Sequence, residues 1–148
     1  MQVKVEIKKL RDDARIPSRG SRLSAGADLY ACLDGDSLLI QPGETILVGT
    51  GLAIAVPEGC FGGIFARSGL AAKEGLRPAN CVGVVDSDYR GEVKVALHND
   101  SDQVRMVTQG ERIAQLLVMP FLEADFEEKD GLDETERGEG GFGHTGKN

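Results

Sequence analysis

Four short stretches of this chain bring acid, guanidinium, hydroxyl and glycine together in the way phosphate chemistry requires. In A-R-S-G-L-A, residues 66–71, an apolar run from Cys60 to Ala66 leads into Arg67, Ser68 and Gly69 and then into a short helical stretch. A guanidinium, a hydroxyl and backbone N–H groups gathered at a helix start make an anion site, although an ordinary capped helix has the same look. In G-V-V-D-S-D-Y-R-G-E-V-K-V, residues 83–95, Asp86, Asp88 and Tyr89 stand where a hairpin tip is expected, between Val84-Val85 and the alternating run Val93 to Leu97. Acids there suit a phosphate site, and they also suit a plain turn. In A-G-A-D-L-Y-A, residues 25–31, Asp28 sits among small residues.

The fourth stretch is G-E-G-G-F-G-H-T-G-K-N, residues 138–148. From Gly141 it has the glycine and lysine spacing of a P-loop, with Asn148 where Ser or Thr belongs. A P-loop needs a strand before it and a helix after it, and here the chain stops two residues past Gly146. The Walker reading therefore fails on context. Glycine still lets backbone wrap closely around phosphate, with Arg137, Thr145 and the amides as donors. Phe142 offers a flat apolar face, suited to stacking on a base.

Other chemistries are disfavoured. The two histidines, His98 and His144, have no partner at metal-ligand spacing. No G-x-S-x-G elbow supports a covalent hydrolase. Cys32, Cys60 and Cys81 are odd in number and form no C-x-x-C pair, so they are read as buried or incidental thiols. A net charge of −7 argues against a nucleic-acid partner, while a small polyanion needs only a few gathered arginines such as Arg67, Arg112 and Arg137. No apolar run approaches the roughly 20 residues that span a bilayer. The N-terminus M-Q-V-K-V-E-I-K-K-L alternates in polarity and lacks a signal-peptide block, so a cytoplasmic protein with nothing removed is expected.

The elements that position these residues are mostly strands. Val3, Val5 and Ile7 alternate with polar residues, as do Val93, Val95 and Leu97, which is the period of half-buried strands. Ile113 to Met119 is apolar apart from Gln115 and reads as a strand buried on both faces. Turn signals recur at Asp34-Gly35, Pro42-Gly43, Pro57-Glu58-Gly59, Asn99-Asp100 and Gln109-Gly110. Only Ser68 to Lys73 looks helical, with Ser68 as its N-cap. Many short strands so punctuated predict an all-β sandwich or jelly roll. One domain is expected over residues 1–122, followed by an arm over 123–148. Eight acidic residues fall between Glu123 and Glu136, and glycine fills five of the last eleven positions, so the arm does not order itself alone.

Taken together, A-G-A-D-L-Y-A, A-R-S-G-L-A, N-C-V-G-V-V-D-S-D-Y-R-G (residues 80–91), G-E-R-I-A-Q (110–115) and R-G-E-G-G-F-G-H-T-G (137–146) resemble, in order and spacing, the five motifs of the homotrimeric dUTP pyrophosphatases. The resemblance implies a distorted jelly-roll barrel with one short helix and a flexible C-terminal arm. It implies a homotrimer that hydrolyses dUTP to dUMP and pyrophosphate with Mg²⁺, limiting uracil in DNA and supplying the thymidylate precursor. In that family each site takes motifs from different subunits, and the C-terminal glycine motif closes as a lid.

By matching motif, Asp86 resembles the family's general base, with Asp88 the weaker candidate. Asp28 resembles the acid that organises arginine and metal-bound water, and Arg112 belongs with it. Arg67, Ser68 and Gly69 resemble phosphate contacts, and Gln115 the residue that reaches the α-phosphate. Backbone from Asn80 through Val84 and Val85 to Asp86 would read the uracil edge, Lys94 would be a further substrate contact, and the Tyr89 ring would lie beneath the sugar, refusing a ribose 2′-hydroxyl. Arg137, Phe142, Gly143 and Thr145 would form the lid, Phe142 stacked on uracil. Mg²⁺ would be held by the triphosphate and waters, without direct protein ligands. Ala66 stands where relatives commonly have proline. The nearest alternatives are a dCTP deaminase, whose glutamate base and serine-arginine motif are absent here, and a non-catalytic nucleotide-binding trimer.

Overall fold

The computed structural model of the chain describes residues 3–142. Gly143 and Thr145, both expected in the lid, lie outside the described residues, as does His144. Ten strands follow one another: β1 (Glu6–Lys9), β2 (Ala27–Tyr30), β3 (Ser37–Ile40), β4 (Thr45–Ala55), β5 (Cys60–Phe65), β6 (Leu76–Pro78), β7 (Val82–Val85), β8 (Glu92–Asn99), β9 (Arg105–Thr108) and β10 (Arg112–Pro120). They form two four-stranded sheets, ordered β1-β4-β8-β6 and β2-β10-β5-β7, with β3 and β9 paired as a separate ribbon. All pairings are antiparallel. This is the jelly roll that the residues predict.

The core lies between the two sheets and follows the period-two pattern. In β8, Val93, Val95 and Leu97 point inward with 0–2% exposure, while Lys94 stands out in solvent. Leu29, Ile113 and Ala114 meet them from the other sheet, with Leu52, Ile54 and Leu76 completing the layer. Two polar side chains are wholly buried. Thr50 Oγ1 donates to the Val93 carbonyl at 2.7 Å. Asn99 Nδ2 donates to the carbonyls of Ile40 and Gln103 at 2.9 and 2.8 Å, and its Oδ1 accepts from the Ser101 amide and hydroxyl. The sequence marks Asn99 only as a turn signal. It is a buried tie between β3, the end of β8 and the following loop. Asn99→Ala orphans those groups and is expected to cost about 2–4 kcal/mol, read as a lower urea midpoint at fixed protein concentration.

Three expectations need correction. First, β7 and β8 are not a hairpin. β7 pairs with β5, whereas β8 pairs with β4 and β6. Val85 buries its side chain from one sheet and Val93 and Val95 from the other, so residues 86–91 cross the end of the sandwich between layers. Second, the helical segment does begin at Ser68, but from Leu70 to Glu74 it widens into a π-type turn. Gly69 rather than Ser68 occupies its cap position, and no side chain caps it. Third, β10 is buried on one face only. Its other face leaves Leu117 and Met119 half-exposed, while Val118 packs against the core beside Leu116.

Beyond Pro120 no regular element forms through residue 142. Leu122, Phe126 and Leu132 in this arm are more than nine-tenths exposed.

Candidate active site

The candidate residues fall into two groups. The first lies on the outer face of β2 and β10. Asp28 and Gln115 are directly opposed in the ladder, and a bulge at Ile113 brings Arg112 opposite Tyr30 on the same face. Asp28 is the hub. Its Oδ1 accepts from Arg67 Nε at 2.9 Å and its Oδ2 from Arg112 Nη1 at 3.4 Å. Its side chain is only 14% exposed, so the two guanidiniums satisfy a carboxylate that would otherwise be costly to shield from water. Arg67 uses only Nε in this pair, and its terminal nitrogens remain as donors towards an incoming anion. Ser68 and Gly69 follow in exposed positions at the same end of β5.

Gln115 Nε2 donates to the Ala66 carbonyl at 2.8 Å and so fixes the approach to Arg67. The amide lies directly over Gly26, where an added Cβ would stand 2.3 Å from Gln115 Oε1. That second glycine motif position is required by close approach rather than by backbone conformation.

The second group lines a cleft of about 340 Å³ between β7 and β8. β7 is an edge strand, so alternate backbone groups are unpaired by its neighbour β5. Asn80, Val84, Val85, Asp86, Tyr89 and Lys94 all contribute to the lining. Val84 is exposed to the cleft, whereas the Val85 side chain points into the core. Asp86 follows the last residue of β7 and its carbonyl accepts from the Tyr89 amide at 3.2 Å, which closes the turn. Tyr89 OH donates to the Glu92 carbonyl at 2.9 Å. Its ring crosses Gly91 so closely that a Cβ there would meet the phenol oxygen at 2.5 Å. Glu92 in turn accepts from the Gly51 amide at 2.9 Å and stands 3.7 Å from Lys94. Asp88 is exposed in the turn.

The two groups do not meet within one chain. The ladder aligns Asp28, Gln115, Phe65 and Val82 in a row across the sheet. Asp86 lies four residues beyond that row, about 13 Å along the strand and about 10 Å across from Gln115. Among the described residues Arg137 bonds neither group, donating to the Gly140 carbonyl at 2.7 Å, and Phe142 is fully exposed. Among the described residues no group of three or more His, Cys, Asp and Glu side chains stands close enough to hold a metal.

Sequence reading missed Gly26 and Gly91 as individual requirements, because their necessity depends on which side chain crosses them. It also missed Ser18, whose Oγ lies 2.6 Å from Tyr30 OH beside Asp28. Cys32 is buried and its thiol is pushed up by that burial, so it stays protonated; Cys60 is half-buried and Cys81 exposed.

Comparison with known proteins identifies the family. The dUTPase family model matches residues 12–146. The deoxyuridine 5'-triphosphate nucleotidohydrolase of Corynebacterium glutamicum is 47% identical over 144 residues, covering 97% of this chain and 95% of its own. That of Wolbachia sp. subsp. Brugia malayi is 47% identical over 150 residues, covering 99% and 96%. Among solved structures, a mutant of the Staphylococcus bacteriophage 80alpha dUTPase with dUpNHpp superposes with a TM-score of 0.87 at 25% identity, covering 98% of this chain and 99% of that one. Since the family model spans both groups of site residues and the relatives align from end to end, the chain belongs to the dUTPase family.

Proposed function

We propose that this protein hydrolyses dUTP to dUMP and pyrophosphate at sites shared between the subunits of a homotrimer. In the cytoplasm this activity would keep uracil out of DNA and supply dUMP for thymidylate synthesis. The observation that carries the shared site is the separation of Asp86 from the Asp28, Arg67 and Gln115 group, because reacting atoms must approach to roughly 3–3.5 Å. A second copy would bring its own cleft to the first copy's arginine face. The arm supports the same reading. Its apolar side chains are bare, and a groove of about 880 Å³ between Val5, Ile7, Leu116 and Val118 carries Lys4 and Arg19 at its wall, matching an arm that is both apolar and acidic.

In the assembled site, unpaired backbone of β7 would bind the uracil edge. Cytosine presents the opposite donor and acceptor pattern and would leave buried groups unpaired. Thymine pairs identically and is refused by the space at its methyl carbon. Tyr89, braced on Gly91 and Glu92, lies where a 2′-hydroxyl would collide. Asp86 takes a proton from water as the water oxygen bonds to the α-phosphorus, and the α–β bridging bond breaks to release pyrophosphate. Arg67 and Arg112, both held by Asp28, receive the charge that builds on the leaving group, while Gln115 fixes the α-phosphate. Both Asp28 oxygens already face guanidiniums, so the donor set suits Mg²⁺ that arrives on the triphosphate and meets Asp28 through water. When bound, that ion neutralises phosphate charge. Arg137, Phe142, Gly143 and Thr145 would close over the nucleotide from a neighbouring arm.

Mixed trimers test this directly. Asp86→Asn chains and chains lacking residues 137–148 are refolded together in equal amounts. If base and arm come from different subunits, about one site in four regains both, and pyrophosphate release from dUTP recovers to that extent. No recovery means that one chain supplies both, and the shared site is then wrong. A native protein that releases no pyrophosphate from dUTP overturns the activity itself.

A further inference from the structure

Arg15 belongs to none of the five motifs, yet it is held beside the phosphate-binding face. Its guanidinium carbon lies 5.6 Å from the centroid of the Tyr30 ring, and its Nη1 donates to the Gly110 carbonyl at 3.3 Å. Neither anchor is anionic, and among the described residues Arg15 forms no ion pair. The loop carrying it is tied down on both sides. Asp13, two residues earlier, accepts from Gln109 Nε2 at 3.0 Å, and the Arg11 guanidinium holds that carboxyl below the usual carboxylate range. Ser18, three residues later, bridges to Asp28 in the β2 ladder. Arg11 on the same loop is spent on Asp13 and Asp34, and Arg19 and Arg22 have no anchors among the hydrogen bonds of the described residues, so Arg15 is the loop arginine that is both held and without a carboxylate partner there.

The position has a direction. Tyr30 and Asp28 are two residues apart on β2 and share its outer face, with Leu29 between them in the core. Arg15 therefore stands about 7 Å along the strand from the Asp28 hub, next to Arg112, which pairs with Tyr30 in register. Three guanidiniums against one carboxylate leave this face cationic in a chain of net charge −7. Resting on the site reading above, we infer that Arg15 is a third phosphate-binding arginine, seated on Tyr30, which receives the outermost phosphates of the nucleotide rather than the α-phosphate. It acts as a positioning and charge-neutralising group on the leaving pyrophosphate.

Such a role scales with phosphate number, which a structural role does not. Arg15→Gln, Arg15→Lys and Arg67→Gln are measured beside the native protein for KM and kcat with dUTP, for affinity of the α,β-imido analogue of dUTP, and for affinity of dUMP. Arg15→Gln is expected to weaken the imido analogue by about tenfold and to leave dUMP within about twofold, with partial rescue by Arg15→Lys. Tyr30→Leu, which removes the ring but not the charge, gives a smaller loss in the same direction. Arg15 is exposed, so an unchanged melting temperature is expected to accompany the loss. Equal weakening of dUMP and the triphosphate analogue overturns the inference, as does an unaffected Arg15→Gln beside an impaired Arg67→Gln. If Arg67→Gln is also unaffected, the arginine face does not bind phosphate and both readings fall.

Discussion

Asp86→Asn is expected to bind the α,β-imido analogue of dUTP as the native protein does and to lose about 10² to 10⁴ in kcat. The reasons are local. Asp86 is exposed just past the end of β7 and makes no side-chain hydrogen bond among the described residues, so nothing in the fold depends on its charge. The backbone proposed to read uracil is held by the β5 ladder from Gly62↔Val85 to Phe65↔Val82, and the amide leaves that ladder intact. What Asn lacks is basicity. The measurement is single-turnover hydrolysis beside analogue titration. Undiminished turnover removes Asp86 from its role, and lost binding with turnover intact makes it a ligand contact only.

Removing residues 137–148 is expected to leave a folded protein with its denaturation midpoint unchanged and kcat/KM for dUTP lower by about 10²- to 10³-fold. β10 ends at Pro120, and the bonds of Arg137 among the described residues stay within its own turn, so the core loses nothing. The loss falls on the site, where a guanidinium, glycine amides and the Phe142 ring would no longer exclude water from the phosphates. Circular dichroism and urea unfolding report the fold, and pyrophosphate release reports the site. Full activity in the shortened chain would show that the nucleotide needs no cover, and an unfolded shortened chain would show that the arm is structural.

Much of the fold was legible because it rests on period-two patterning. Val93, Val95 and Leu97 face the core as their spacing requires, whereas of the N-terminal alternation only Ile7 falls within β1, with Val5 packed just ahead of it and Val3 exposed. The site residues were legible as residue types in order, since acid, guanidinium and glycine keep their chemistry wherever the chain carries them. Partnership was not legible. Val84-Val85 and Val93 to Leu97 read as neighbours because a short turn joins them, yet each run serves a different sheet, and local sequence holds no term for which layer a buried valine enters. Ser68 failed as a cap because it already lies within the helical segment, which no side chain caps. The outer face of β10 read as buried because Leu117 and Met119 are apolar, a signal that cannot separate cover by the same chain from cover by another.

Gly26 and Gly91 carry no side chain and touch no substrate in the proposed mechanism, yet Gln115 and Tyr89 each rest where their Cβ atoms would be. A single methyl group added at either place would tilt an amide or a phenol off its seat without disturbing the core. Constraint on the site thus reaches places where nothing reactive is visible, and a screen that scored only acids and arginines would overlook the two glycines that leave room for Gln115 and Tyr89.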